Sequence, residues 1–357
     1  MKRAADLDTP CLLVERAALE RNLARMAGFF AGRRARLRPH FKTHKCTRIA
    51  LRQLAAGNCA GITCAIVSEA EILAAAGVRD ILIANQVLGA GKLRRLAELR
   101  RKVDVKCCVD DAAQLGPLAG AARAAGVELG VLVEIDVGLS RAGLDSAEEA
   151  LELARLVART PGLGFAGLQA YEGHACFVED AARRGELAAA AAGKVLAVRR
   201  ALEGAGLEVG LVSAGGTGTY DVTGLAEGID ELQVGSYALM DGRYRRVRPE
   251  FENALFLLST VVSARGDRAV LDVGYKSCGA ELAPPEIAGL AEQPETFRLN
   301  EEHFRVSGVA GAFQVGQQVR LIPWHGCTTC NLYPELHLVE GDRVLETWPI
   351  EAAGCRL

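Results

Sequence analysis

The sequence is poor in aromatic residues, 5% of 357, with three methionines and two tryptophans. Alanine is abundant instead, which favours many closely packed helices over a core built on large rings. No apolar run is long and clean enough to span a bilayer as a helix. Met1-Lys2-Arg3-Ala4-Ala5-Asp6 has basic residues with no apolar stretch behind them, so a secretory signal is not expected. The net charge is −2, and neither half carries a basic patch interleaved with aromatics, which argues against nucleic acid as a partner. The eleven cysteines form no framework, and several, including Cys64, Cys107 and Cys108, sit in apolar runs. They read as reduced thiols, and the expected compartment is cytoplasmic. No low-complexity tract is present, and no repeat beyond an alternation of strands and helices.

Half of the residues are hydrophobic, enough for a sizeable core in two domains or one large one. Leu7-Asp8-Thr9-Pro10 leads into a short strand, Cys11-Leu12-Leu13-Val14. The spacing of Leu19, Leu23 and Met26 predicts a helix over 15–30. Short apolar runs then recur at 59–64, 81–86, 105–110, 131–137, 165–171, 209–213 and 232–237. Helical patterns lie between them, including 67–76, 112–125, 147–158 and 182–202. With the run at 38–45 these make about eight βα units, the number of a closed parallel barrel. Past Asp241 the runs at 255–262, 268–273, 318–322, 336–339 and 344–348 are short and turn-separated, with 283–300 expected as a loop. The expected fold is α/β: a (β/α)8 TIM-type barrel over 10–245 and a mostly antiparallel β domain over 246–357, with residues 1–9 packing on the latter.

Chemistry-bearing residues gather at the C-terminal ends of the barrel runs, where such barrels keep their active sites. In Arg38-Pro39-His40-Phe41-Lys42-Thr43-His44-Lys45, a strand would put His40, Lys42 and His44 on one face. Three potential cations there would lower one another's pKa and make Lys42 a nucleophile for a carbonyl, such as the aldehyde of pyridoxal phosphate (PLP). The alternative is a basic strand end dissolved in water. Ser213-Ala214-Gly215-Gly216-Thr217-Gly218-Thr219 follows the seventh run, where barrels often hold a phosphate, with Gly235-Ser236-Tyr237 as the second half of a cradle. The alternative is a flexible turn. Arg141 could donate to a phenolate or carboxylate, or pair with Asp136 or Glu134. His174, in Tyr171-Glu172-Gly173-His174, could be a base or a hydrogen-bonded structural residue. His325 and Cys327 have the spacing to share one divalent ion, leaving positions for substrate and water. Cys327 and Cys330 could also form a redox pair.

These stretches together resemble the D-threonine aldolase and D-serine dehydratase family, which has the alanine racemase-like fold (fold type III). The likeness also takes in Asp8-Thr9-Pro10, Glu134-Ile135-Asp136-Val137-Gly138, Glu231-Leu232-Gln233-Val234-Gly235-Ser236-Tyr237 and Trp348-Pro349-Ile350. It implies that Lys42 bonds the aldehyde carbon of PLP. Gly216, Thr217, Gly235 and Ser236 would hold the phosphate, with Tyr171 and Tyr237 lining the cofactor, and Arg141 would face its phenolate oxygen. His325 and Cys327 would hold a divalent metal (Mn2+, Zn2+ or Mg2+) that grips the substrate's β-hydroxyl; members pair this histidine with aspartate or cysteine. The implied reaction cleaves a D-β-hydroxy-α-amino acid of the D-threonine type to glycine and an aldehyde, with a homodimer as the assembly; His174 is the candidate for the base that takes the hydroxyl proton. The alternatives are a 3-hydroxy-D-aspartate aldolase, a D-serine or D-3-hydroxyaspartate dehydratase giving a 2-oxo acid and ammonia, and a non-catalytic PLP-binding protein. The β domain and the His325/Cys327 pair speak against the last.

Overall fold

In this computed structural model, which describes residues 2–290 and 292–355, apolar runs and alanine-rich helices alternate to give eight parallel strands. Their order in the sheet is Arg36–Leu37, Glu231–Leu232, Val212–Ala214, Leu163–Ala170, Leu129–Ile135, Asp104–Val109, Asp80–Gln86 and Ile62–Cys64. Parallel bridges from Leu37 to Cys59 and from His40 to Thr63 join the first strand to the last, so the sheet curls back on itself. This is the (β/α)8 barrel expected. The strands are apolar nearly throughout because helices cover the sheet; Ile81, Leu82 and Ile83 are all fully buried.

The helix Ala147–Arg159 shows how the sequence directs these elements. Ser146 and Glu149 form a reciprocal capping box, each side chain accepting the other's backbone N–H, at 3.2 and 3.1 Å. Ala150, Leu153, Ala154 and Val157 then form the buried stripe, and Pro161 follows the end. Helices Thr47–Ala55 and Ala90–Arg100 continue the expected alternation. The patterns at 67–76, 112–125, 147–158 and 182–202 correspond to helices Val67–Ala75, Leu115–Ala125, Ala147–Arg159 and Ala181–Gly204.

The lysine stretch corrects an expectation. The strand proper ends at Leu37, and Phe41–Thr43 is a 3-10 turn. His40, Lys42 and His44 therefore do not share a strand face, and the crowding argument built on alternation falls. Each histidine instead ties down backbone: His40 Nδ1 accepts the Lys42 N–H (3.4 Å) and His44 Nδ1 accepts the Cys46 N–H (3.2 Å). Arg38 is a buried structural cation. Its guanidinium donates to Glu231 (2.6 Å) and Asp80 (2.9 Å). The eighth run is likewise shorter than expected, since Ser236–Ala238 is a 3-10 turn.

The second sheet is mostly antiparallel. It runs Thr296–Leu299, Phe304–Ser307, Arg268–Leu271, Leu255–Arg265, Cys11–Glu15, Glu335–Glu340, Arg343–Pro349, and Gln318–Ile322 links Leu255–Arg265 to Glu286–Ile287. The span 283–300, expected to be a loop, thus supplies two short strands. The chain separates into two compact units at other points than 245/246. The β unit takes residues up to Met26, Thr43–Arg48 and Ser236–Gly354, and the barrel unit takes Ala27–Lys42 and Ile49–Gly235. The N-terminal strand explains the difference. Cys11–Glu15 pairs antiparallel with Leu255–Arg265 and parallel with Glu335–Glu340, and its Cys11 and Leu13 bury with Ala4, Leu7, Leu258 and Val339. Among the described residues no helix is long and apolar enough to cross a membrane.

Candidate active site

In the barrel unit, Lys42 sits half-buried in its 3-10 turn with the ammonium 5.6 Å from the centroid of the Tyr171 ring. Arg141 follows the Leu129–Ile135 strand, and its guanidinium carbon is 5.6 Å from the same centroid. Tyr171 follows the Leu163–Ala170 strand and so carries two cations against one ring. The ring face is electron-rich and attracts both charges. The phenol itself stays protonated: neighbouring Cys176, burial and Glu172 hold it well above the usual tyrosine range, against the pull of Arg141.

The partner of Arg141 is now defined. Asp136 caps its own loop, its Oδ1 accepting the N–H groups of Gly138 (2.9 Å), Leu139 (2.9 Å) and Ser140 (3.1 Å). Glu134, almost fully buried, lies 3.8 Å from Arg141 and accepts from Gln86 Nε2 at 2.6 Å. Burial raises the Glu134 carboxyl, and the hydrogen bond from Gln86 and the charge of Arg141 oppose that. A contact of 3.8 Å leaves the exposed side of the guanidinium able to serve a further anion.

The glycine loop follows the Val212–Ala214 strand, and Gly215 adopts φ +77°, the left-handed region that favours glycine. A Cβ at Gly216 would stand 3.2 Å from Cys176 Sγ and 3.3 Å from the Tyr171 ring, so this backbone lies against the residue that carries the two cations. Thr217 Oγ1 accepts the Gly235 N–H at 3.3 Å, which ties the two halves of the expected cradle together. Ser236 and Tyr237 continue directly from Gly235 and are buried. His174 stacks on the loop that bears Arg141: a Cβ at Gly138 would be 3.1 Å from His174 Cε1 and 3.2 Å from Nε2. Its Nδ1 is buried and has no hydrogen-bond partner among the described residues, an orphaned polar atom of the kind that marks functional sites. An amine, a guanidinium and a glycine cradle around one ring are the groups needed to hold a phosphorylated aldehyde cofactor.

In the β unit, His325 precedes the short helix Gly326–Cys330. Its Nδ1 is bonded to a carboxylate oxygen of Glu281, which orients the ring. Burial disfavours the imidazolium, but its hydrogen bond to Cys327, the charge there and then Glu281 outweigh this and push His325 up to about 9. Cys327 stands two residues further on, in the first turn of this helix. An imidazole fixed by a carboxylate beside a thiol suits a borderline divalent ion. Asp241, buried, accepts the Gly326 N–H at 2.9 Å and the Tyr244 N–H at 2.8 Å and so anchors the start of the helix. Among the described residues no cluster of three or more His, Cys, Asp or Glu could hold a metal ion. Cys330 is fully buried, and burial raises its thiol far above the usual range, which leaves a poor redox partner for Cys327.

Sequence reasoning passed over Glu281, Asp241 and Glu172. Glu281 and Asp241 belong to no spaced motif, and Glu172, within the stretch that ends in His174, has no expected role there. Glu281 is 44 residues from the histidine it orients, and such a contact exists only in the folded chain.

The chain is similar to known proteins over nearly its whole length. Residues 14–241 match the family described as alanine racemase, N-terminal domain, and residues 254–339 match the putative serine dehydratase domain. A D-threonine aldolase of Arthrobacter sp is 40% identical over 98% of this chain and 94% of its own length. A 3-hydroxy-D-aspartate aldolase of Paracoccus denitrificans (strain Pd 1222) is 37% identical over 98% and 93%. The crystal structure of D-threonine aldolase from Filomicrobium marinum superposes with a TM-score of 0.95 at 37% identity, covering 99% of this chain and 98% of that one.

Proposed function

The chain belongs to the alanine racemase-like family that includes the D-threonine aldolases, and from that membership we propose that it is a PLP- and divalent-metal-dependent lyase. Its substrate is a D-β-hydroxy-α-amino acid of the D-threonine type, cleaved between Cα and Cβ to glycine and an aldehyde. The observation that carries the reading is the placement of Lys42 and Arg141 at one distance from the Tyr171 ring, with the Gly216 backbone against that ring.

When bound, PLP supplies an electron sink for the pair released from the breaking carbon–carbon bond. Lys42 would be the amine that bonds its aldehyde carbon. Gly216, Thr217, Gly235 and Ser236 would hold its phosphate, Tyr171 and Tyr237 would line it, and Arg141 would serve its phenolate oxygen. His325 and Cys327 would hold the divalent ion, which would lower the pKa of the substrate's β-hydroxyl. His174 takes the proton of that hydroxyl; its orphaned Nδ1 and its packing on the loop of Arg141 support the assignment. A homodimer and a cytoplasmic compartment complete the reading. The eleven free cysteines support the compartment.

A dehydratase is the second reading. Cys327 and the match of residues 254–339 to the putative serine dehydratase domain favour it. Product analysis separates the two. The purified protein, with PLP and Mn2+ or Zn2+, is given D-threonine, D-serine and D-threo-3-hydroxyaspartate. Glycine with an aldehyde, abolished by EDTA, is the expected result. Ammonia with a 2-oxo acid would transfer the assignment to the dehydratase, and absence of both would overturn the lyase reading.

A further inference from the structure

Glu172 lies beside Tyr171 and is 1% exposed, a position in which a carboxylate is costly unless its oxygens are occupied. They are occupied by the glycine loop. Oε1 accepts the hydroxyls of Thr219 (2.7 Å) and Thr223, and Oε2 accepts the Gly215 N–H (3.2 Å). Thr219 and Thr223 are themselves buried, and so is Cys176, whose Sγ lies 3.9 Å from Thr219 Oγ1. One carboxylate thus grips the loop at three points, at residues 215, 219 and 223. Gly216, Thr217 and Gly218 lie between the first two of these points.

We propose that Glu172 is a positioning residue that preforms the phosphate cradle. By taking three donors it pins the loop, so that ordering the cradle need not be done at the expense of cofactor affinity. The proposal rests on the reading of this barrel as a PLP site. The charge of Glu172 acts the other way, because an anion behind the loop repels a phosphate. Charge-assisted hydrogen bonds to a buried carboxylate are individually strong, and three of them outweigh one screened repulsion across the loop.

The test compares two cofactors on the full-length protein. PLP and pyridoxal both offer an aldehyde to Lys42, but only PLP reaches the cradle. Glu172→Ala removes all three anchors and is expected to weaken PLP binding by about ten- to hundredfold, roughly the worth of one hydrogen bond to a charged group, and to leave pyridoxal binding unchanged. Thr219→Val, which removes one anchor and keeps the side-chain shape, should give a smaller loss with the same preference for PLP, and it serves if the alanine variant does not fold. Glu172→Gln keeps the size but loses the charge, and should fall between the wild type and Glu172→Ala. Equal loss of both cofactors would show a merely structural role and overturn the proposal. Tighter PLP binding by Glu172→Gln would show that repulsion dominates and would also overturn it. A wild type that binds PLP while the variants match it would sink this proposal alone. A wild type that binds neither cofactor would sink the lyase reading as well.

Discussion

Replacing Gly218 with alanine should damage the cradle through sterics alone. A Cβ there would fall 2.0 Å from the Cys176 carbonyl oxygen, 2.6 Å from its Cα and 2.7 Å from its carbonyl carbon. All three are backbone atoms, so no side chain can swing aside. Restoring ordinary contact requires a retreat of roughly 1.5 Å. The loop cannot retreat freely, because Glu172 holds it on both sides of Gly218, through Gly215 and through Thr219. Overpacking of this kind costs about 1–3 kcal/mol, and a displacement near 1 Å in a positioning element lowers kcat/KM by about a hundredfold. Gly193 is the matched control. It lies inside the Ala181–Gly204 helix with nothing within 4 Å of an added Cβ, so Gly193→Ala should stabilise the protein by about 0.5–1 kcal/mol. Urea unfolding of the two variants, with PLP titration of each, reads both effects. If Gly218→Ala unfolds at the wild-type midpoint and binds PLP as the wild type does, the packing argument is refuted.

Arg38→Met should destabilise the barrel by about 3–5 kcal/mol, because it leaves Glu231, 2% exposed at its side chain, as an uncompensated buried charge. Urea unfolding measures this, and a loss below about 1 kcal/mol would mean that Glu231 finds another partner. Glu281→Gln should weaken divalent-metal affinity about ten- to hundredfold by releasing the orientation of His325, with PLP binding unchanged. A metal titration followed calorimetrically tests it, and wild-type affinity in the variant would remove Glu281 from the metal site.

Much of this protein can be read from residue order. The short apolar runs and the alanine-rich helical stripes recur because each strand of the sheet is covered on both faces and each helix buries one stripe, and counting them leads to the barrel. The glycine loop is legible because unbranched backbone is the requirement itself. Lys42, Arg141 and His174 stand out as unusual residue types at the ends of apolar runs. Tertiary structure decided the rest. The N-terminal strand looks like any other short apolar run, and only its hydrogen bonds to Leu255–Arg265 and Glu335–Glu340 assign it to the β unit. The choice of Glu134 over Asp136 for Arg141 depended on which carboxylate its own loop had already consumed. Glu172 holds residues 43 to 51 positions away, and Glu281 orients a histidine 44 positions away. Periodicity reports which face of an element is buried, because that is a local property of the chain. The partner of a buried carboxylate is set by where distant segments meet, and no local pattern encodes that.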